Sequence, residues 1–213
     1  MLLPQSFFPR PTLDVAHDLV GTVLSAGLAG EIVSGRIVEV EAYLGAGDPA
    51  SHAARGPTQR SAIMFGPPGV AYVYFIYGVH HCLNVVTEPA GRAGAVLIRA
   101  LEPLTGCEIM MRRRANRSSC RRGRHRLRIV DLCNGPGKLC QALGIDLNWN
   151  GIQFGRGKSQ LCWLSLERQN GVSLRILATP RIGIRQAVTK PYRFVVADSR
   201  FLSRPVRKTE RAV

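Results

Sequence analysis

Three runs of apolar, β-branched and aromatic residues, at 70–77, 82–87 and 94–101, follow one another with only four and six residues between them. Gaps that short hold tight turns, because parallel neighbours need a crossover of a dozen or more residues. These runs therefore lie antiparallel, and Gly78-Val79-His80-His81 reads as the first hairpin turn. Further strand patterns fall at 22–25, 35–43, 161–166, 174–177 and 192–197. Helical patterns are short. Pro11-Thr12 opens one with Leu13, Ala16, Leu19 and Val20 on one face and Gly21 as its stop. Others cover 105–114 and 139–143, the latter after Asn134-Gly135-Pro136-Gly137, and a brief one follows Thr58 in the loop-like stretch 45–60. Strands outnumber helices and lie close in sequence. The expected fold class is α+β, one mixed domain around a mostly antiparallel β-sheet flanked by short helices.

Its 213 residues suit one domain, placed at 1–203 with a basic, frayed tail at 204–213. A content of 46% hydrophobic and 20% charged residues argues against disorder, and no apolar run approaches the roughly 20 residues of a membrane span. The opening Met1-Leu2-Leu3-Pro4-Gln5 has no basic n-region, so a cytoplasmic protein without a secretory signal is expected. Charge is the informative quantity. Twenty-nine Lys and Arg against fourteen Asp and Glu give +15, and only four of the bases are lysine. An excess dominated by guanidinium implies a polyanionic partner, nucleic acid first and an anionic membrane second. Eight arginines and no acid fall within 112–126, a run too repulsive to pack alone and expected as a loop or a partner-bound arm. The six cysteines form no CxxC pair and no Cys/His cluster at zinc spacing, which implies buried structural thiols, no metal site and no cofactor.

The segment Gly35-Arg36-Ile37-Val38-Glu39-Val40-Glu41-Ala42-Tyr43 is the most informative in the chain. Strand alternation sends Val38, Val40 and Ala42 to the core and projects Glu39, Glu41 and Tyr43 together on the other face. That face is either an acid/base platform or a solvent-facing polar edge, and pattern alone favours the edge. Tyr72, Tyr74 and Tyr77 crowd into six residues, with Tyr77 just before the turn. Tyrosine suits strands, but exposed rings on a basic protein also suit stacking on bases or wedging into a base step. Arg99 is the lone charge in Ala95-Val96-Leu97-Ile98-Arg99-Ala100-Leu101 and needs a carboxylate partner if buried. His52, in a small-residue loop, and Asn84, in a strand, are unremarkable singly.

Taken together these segments resemble the alkyladenine (3-methyladenine) DNA glycosylase family. The matching text is Val38 through Gly45, Asp48 through His52, Met64-Phe65-Gly66-Pro67-Pro68-Gly69, Tyr72 through Gly78, Cys82-Leu83-Asn84-Val85, Val96 through Pro103, Asn134 through Leu143, and Arg181-Ile182-Gly183-Ile184. It departs at Pro57-Thr58-Gln59-Arg60, at His80-His81 and at Tyr192. The resemblance implies a curved sheet and a monofunctional, monomeric enzyme that removes alkylated or deaminated purines from double-stranded DNA. By the same resemblance Glu41 is the general base that activates a water. Arg99 helps hold that water with a main-chain carbonyl near Ile182, and Glu39 is structural. Tyr43, His52 and Tyr74 sandwich the extruded base, Asn84 screens out guanine, Tyr77 is the wedge, and Arg60 and Lys138 contact the DNA backbone. A non-catalytic nucleic-acid binder using the arginine run and the tyrosines is the competing reading.

Overall fold

The computed structural model describes residues 1–115, 127–155, 162–169, 171 and 173–206. Among them eight strands form one antiparallel sheet: β1 (Val23–Leu28), β2 (Glu31–Leu44), β3 (Ala71–Ile76), β4 (His80–Val86), β5 (Gly94–Thr105), β6 (Cys162–Glu167), β7 (Ile176–Thr179) and β8 (Arg193–Val196). Their order is β3-β4-β5-β2-β1-β6, and β8 pairs with both β2 and β7. The fold is α+β, a curled half-barrel with three helices, α1 (Thr12–Leu19), α2 (Cys107–Ala115) and α3 (Pro136–Leu143). Among the described residues no helix is long and apolar enough to cross a membrane.

Fourteen-residue β2 organises the sheet. Its first half pairs with β1, its second half pairs with β8 on the same edge, and β5 runs along the other edge. Three register shifts interrupt the β2–β5 ladder, one between Ser34 and Gly35 and two bulges farther along. Ile37 opposes Leu101, Glu39 opposes Ala100 and Val40 opposes Ile98, which leaves Val38 unopposed on one strand and Arg99 on the other. A bulge turns a side chain away from its alternating face. Ile37, Val40, Ala42 and Ile98 accordingly pack into the main core under the helices, while Val38 and Ala100 join Val195, Phe201, Leu202 and Val206 on the opposite side. The strict alternation that sends Val38, Val40 and Ala42 to one face therefore fails at Val38.

Several element boundaries also shift, each for a local reason. The buried face of α1 is Thr12, Val15, Ala16 and Leu19, with Leu13 only half-buried. Thr12 turns inward because its amide and hydroxyl both donate to Glu88, at 2.7 and 2.9 Å. The β3–β4 turn is Tyr77-Gly78-Val79, and His80 and His81 belong to β4. Tyr77 and Gly78 both adopt positive φ, 54° and 69°, the left-handed pair whose twist suits a hairpin. Helix α3 starts at Pro136, not at Leu139, and stops at Gly144 (φ 75°), whose amide bonds Cys140 and Gln141 carbonyls.

The arginine run does not begin as a free arm. Arg112, Arg113 and Arg114 form the last turn of α2, where the first two pair with Glu31 and the third bonds Gln141. The rest of the run, 116–126, lies outside the described residues, as do 207–213. Ser203 is not where packing stops, since Val206 is buried in the second core cluster.

Candidate active site

The end of β2 places Glu39, Glu41 and Tyr43 on one side, and that side is not solvent-facing: both carboxylates have no exposed surface. Glu39 takes four hydrogen bonds, from Arg99 Nε (3.0 Å), Arg193 Nε (2.8 Å), and the amide and hydroxyl of Ser203 (2.6 and 2.7 Å). Three of these converge on Oε1 and one on Oε2, and they tie β2 to β5, β8 and the chain end, which makes Glu39 a structural anchor. Glu41 accepts three: Oε2 from the Tyr43 hydroxyl (2.8 Å) and Arg99 Nη1 (3.2 Å), Oε1 from the Ile182 amide (2.6 Å). One lone pair on Oε1, beside Ile182, has no donor among the described residues. Burial pushes the Glu41 carboxyl above the ordinary glutamate value and outweighs the opposing pull of Arg99, the Ile182 amide and Tyr43. Tyr43 is pushed up as well, first by burial and then by the adjacent Glu41.

The β5 bulge puts Arg99 between the two carboxylates. A guanidinium in an apolar strand finds its partners there, with Nε on Glu39 and Nη1 on Glu41.

In front of this cluster opens a cavity of about 480 Å³, lined by Tyr43, His52, Tyr74, Tyr77, Asn84 and Arg99 among others. Glu41 does not reach its wall and sits behind Tyr43 and Arg99. Strand pairing explains how β3 and β4 furnish one flank, since Tyr72 opposes Asn84 and Tyr74 opposes Cys82, and all four line the cavity. His52 stands edge-on to Tyr74 with ring centroids 4.8 Å apart, and its Nδ1 is 2.9 Å from the Tyr72 hydroxyl. Burial, then the Arg60 charge, lowers the His52 pKa from 6.5, so the ring is neutral at pH 7. Asn84 is pinned by its amide nitrogen to the Tyr72 carbonyl at 2.9 Å. Tyr77 is 81% exposed at the mouth.

Arg60 and Lys138 stand outside the cavity wall. Arg60 donates to the Phe75 carbonyl (2.8 Å) with its guanidinium 5.4 Å from the Tyr74 ring centre, and Lys138 holds Asn134 (2.8 Å). The opposite wall, Ile182 through Gln186, carries no pattern that singles it out in the sequence beyond the family-like Arg181-Ile182-Gly183-Ile184. The Ile182 main chain meets Glu41 through its N–H. Arg181 just before it is also missed by sequence reasoning, although it makes a two-armed buried pair with Asp48 and lies 4.7 Å from the Tyr43 ring.

Residues 6–200 match the family model described as methylpurine-DNA glycosylase. The chain belongs to that family. Relatives with the provisional name 3-methyladenine DNA glycosylase include one from Rhodopseudomonas palustris, 48% identical over 204 residues, covering 96% of this chain and 89% of the relative. Others come from Carboxydothermus hydrogenoformans and Methanoculleus marisnigri, each 44% identical over 96% of this chain and 100% of the relative. The family match takes in β2, β5 and the Arg181–Gln186 segment, so the buried carboxylate cluster and both cavity walls lie inside it.

Proposed function

We propose that the chain is a monofunctional DNA glycosylase that takes an alkylated or deaminated purine out of a duplex into the aromatic cavity and hydrolyses its bond to the sugar. The observation that carries this reading is the position of Glu41, a fully buried carboxylate directly behind a cavity walled by Tyr43, His52 and Tyr74. Binding DNA through its phosphates requires positive charge and stacking rings, and has no use for a buried carboxylate held by three donors.

In this mechanism Glu41 Oε1 is the base. Its unfilled lone pair beside Ile182 accepts a proton from water as the water oxygen bonds to C1′. The electrons of the C1′–N bond leave with the purine, which departs neutral if alkylation had made it cationic and as an anion that takes a proton from solvent if it was deaminated. An abasic sugar remains in both cases. A carboxyl pKa raised by burial makes the oxygen a better proton acceptor, and its charge opposes the cationic character that develops on the sugar. Arg99 orients the carboxylate and holds the water from the cavity side.

The rings serve the leaving group. Tyr43 and Tyr74 offer electron-rich faces to an alkylated, positively charged purine, and neutral His52 adds no competing charge. A damaged base also costs less to unpair. Asn84, fixed by Tyr72, excludes the 2-amino group of guanine. Tyr77 at the rim fills the gap left in the duplex, with Arg60 and Lys138 against phosphates. Hydrolysis by an activated water needs no Schiff-base amine, so the reaction ends at the abasic site.

The test is incubation of wild type with a labelled duplex carrying one hypoxanthine or one ethenoadenine. Fragments that form only after alkali support the glycosylase. Fragments without alkali point to lyase chemistry, and a lesion-selective gel shift without any cleavage points to a binding protein.

A further inference from the structure

The C-terminal strap on the far face of the sheet is wired into the cluster through one hydroxyl. Phe201, Leu202 and Val206 pack on Val38, Ala100 and Val195, which seats Ser203 over the Glu39–Arg99 pair. The Ser203 hydroxyl donates to Glu39 Oε1 at 2.7 Å and accepts from Arg99 Nη2 at 3.3 Å, while its amide donates to Glu39 Oε2 at 2.6 Å. Each nitrogen of Arg99 thus has its own acceptor: Glu39 at Nε, Glu41 at Nη1 and Ser203 at Nη2. Three acceptors in three directions fix a planar guanidinium, whereas two leave it free to swing about the remaining pair. Ser203 lies beyond the residues 6–200 that match the family model.

We propose that Ser203 is a positioning residue for catalysis, holding Arg99 in register with Glu41. The inference rests on the glycosylase reading above. Without the hydroxyl, Glu39 loses a donor and draws Arg99 closer. The 3.2 Å contact to Glu41, the longer of the two carboxylate contacts, is the one that loosens. Charged and titratable groups facing Glu41 are Arg99 on β5, Glu39 and Tyr43 on β2, Cys82 on β4 and Arg181 after β7. Of these Arg99 does most to keep the carboxyl ionised. A loosened Arg99 lets the Glu41 pKa rise further.

The experiment compares Ser203→Ala, Ser203→Thr, Val206→Ala and Glu41→Gln by single-turnover excision across pH, with lesion affinity from gel shift. Ser203→Ala lowers the neutral-pH rate by about tenfold, the weight of one charge-assisted hydrogen bond. It also moves the acid limb of the profile to higher pH and leaves affinity within a few-fold. Ser203→Thr restores both rate and limb. Val206→Ala, which loosens the same strap but keeps the hydroxyl, lowers the melting temperature without moving the limb. A wild-type rate and limb in Ser203→Ala, or the same limb shift in Val206→Ala, overturns the inference while Glu41→Gln stays inactive. Full activity in Glu41→Gln overturns the glycosylase reading and this inference with it.

Discussion

Both terminal nitrogens of Arg181 reach Asp48 at 2.6 Å, and neither side chain is exposed. The pair ties the loop that carries His52 to the segment that carries Ile182, so the two walls of the cavity share one buried link. A third bond, from Arg181 to the Ala42 carbonyl at 2.9 Å, anchors the link to β2 next to Glu41.

Breaking that link is costly, because one partner is left as an uncompensated buried charge. Asp48→Asn lowers unfolding free energy by about 3–5 kcal/mol in urea titration. Burial raises the Asp48 pKa, but the Arg181 bonds and the Leu44 and Ala50 amides outweigh it and hold the carboxyl below its ordinary value. A depressed folded pKa gives stability that is present above the unfolded value and lost as pH falls through the folded one. Wild type therefore loses stability at strongly acid pH faster than Asp48→Asn does. A variant as stable as wild type at pH 7 would show that the pair contributes nothing.

Glu41 sets the acid side of the activity profile. A base works deprotonated, and burial raises this carboxyl above its ordinary 4.5. The acid limb of kcat/KM against pH consequently lies above 4.5, with rate falling as pH drops through it. A limb at or below 4.5 would mean that Arg99, the Ile182 amide and Tyr43 together dominate burial.

Tyr77 separates stability from function. Its φ of 54° is left-handed, which costs a residue with a side chain about 1–2 kcal/mol, and its ring is exposed. Tyr77→Gly is thus as stable as wild type or up to about 1 kcal/mol more stable, while it weakens lesion-duplex binding by about 1–3 kcal/mol, the value of one aromatic stack. Denaturation and gel shift read the two effects independently. Undiminished binding would remove the wedge from the mechanism.

His52 titrates below 6.5, through burial first and the Arg60 charge second. An imidazole titration by NMR gives its midpoint, and Arg60→Ala moves that midpoint upward. The folded-state depression means that His52 contributes stability which fades as pH falls below the unfolded value of about 6.5. A midpoint at or above 6.5 would mean that burial and the Arg60 charge do not depress this imidazole.

The strand order around the cavity was legible from short gaps and turn residues, because 82–87 can only fold back on 70–77. Tyr72 and Tyr74, two residues apart in the regular strand β3, line the same cavity, as simple alternation dictates. What alternation could not give is the pair of bulges at Val38 and Arg99. They send Val38 away from the main core and let Arg99, inside an apolar run, reach both carboxylates. Neither bulge has a glycine or proline to mark it. Burial of Glu39 and Glu41 was equally hidden, because their partners come from distant segments: Arg193 and Ser203 for one, Ile182 for the other. Pattern alone therefore favoured a wet edge where the protein builds a dry cluster. The family resemblance compensated for that, since it rests on the motif text and not on local periodicity.

Single-turnover excision of one hypoxanthine from a labelled duplex, with wild type and Glu41→Gln side by side and lesion affinity measured in parallel, separates chemistry from binding. A carboxylate base predicts that Glu41→Gln binds the lesion within a few-fold of wild type but cuts about 10²–10⁴ times more slowly after alkali treatment. Equal excision rates would contradict Glu41 as the base.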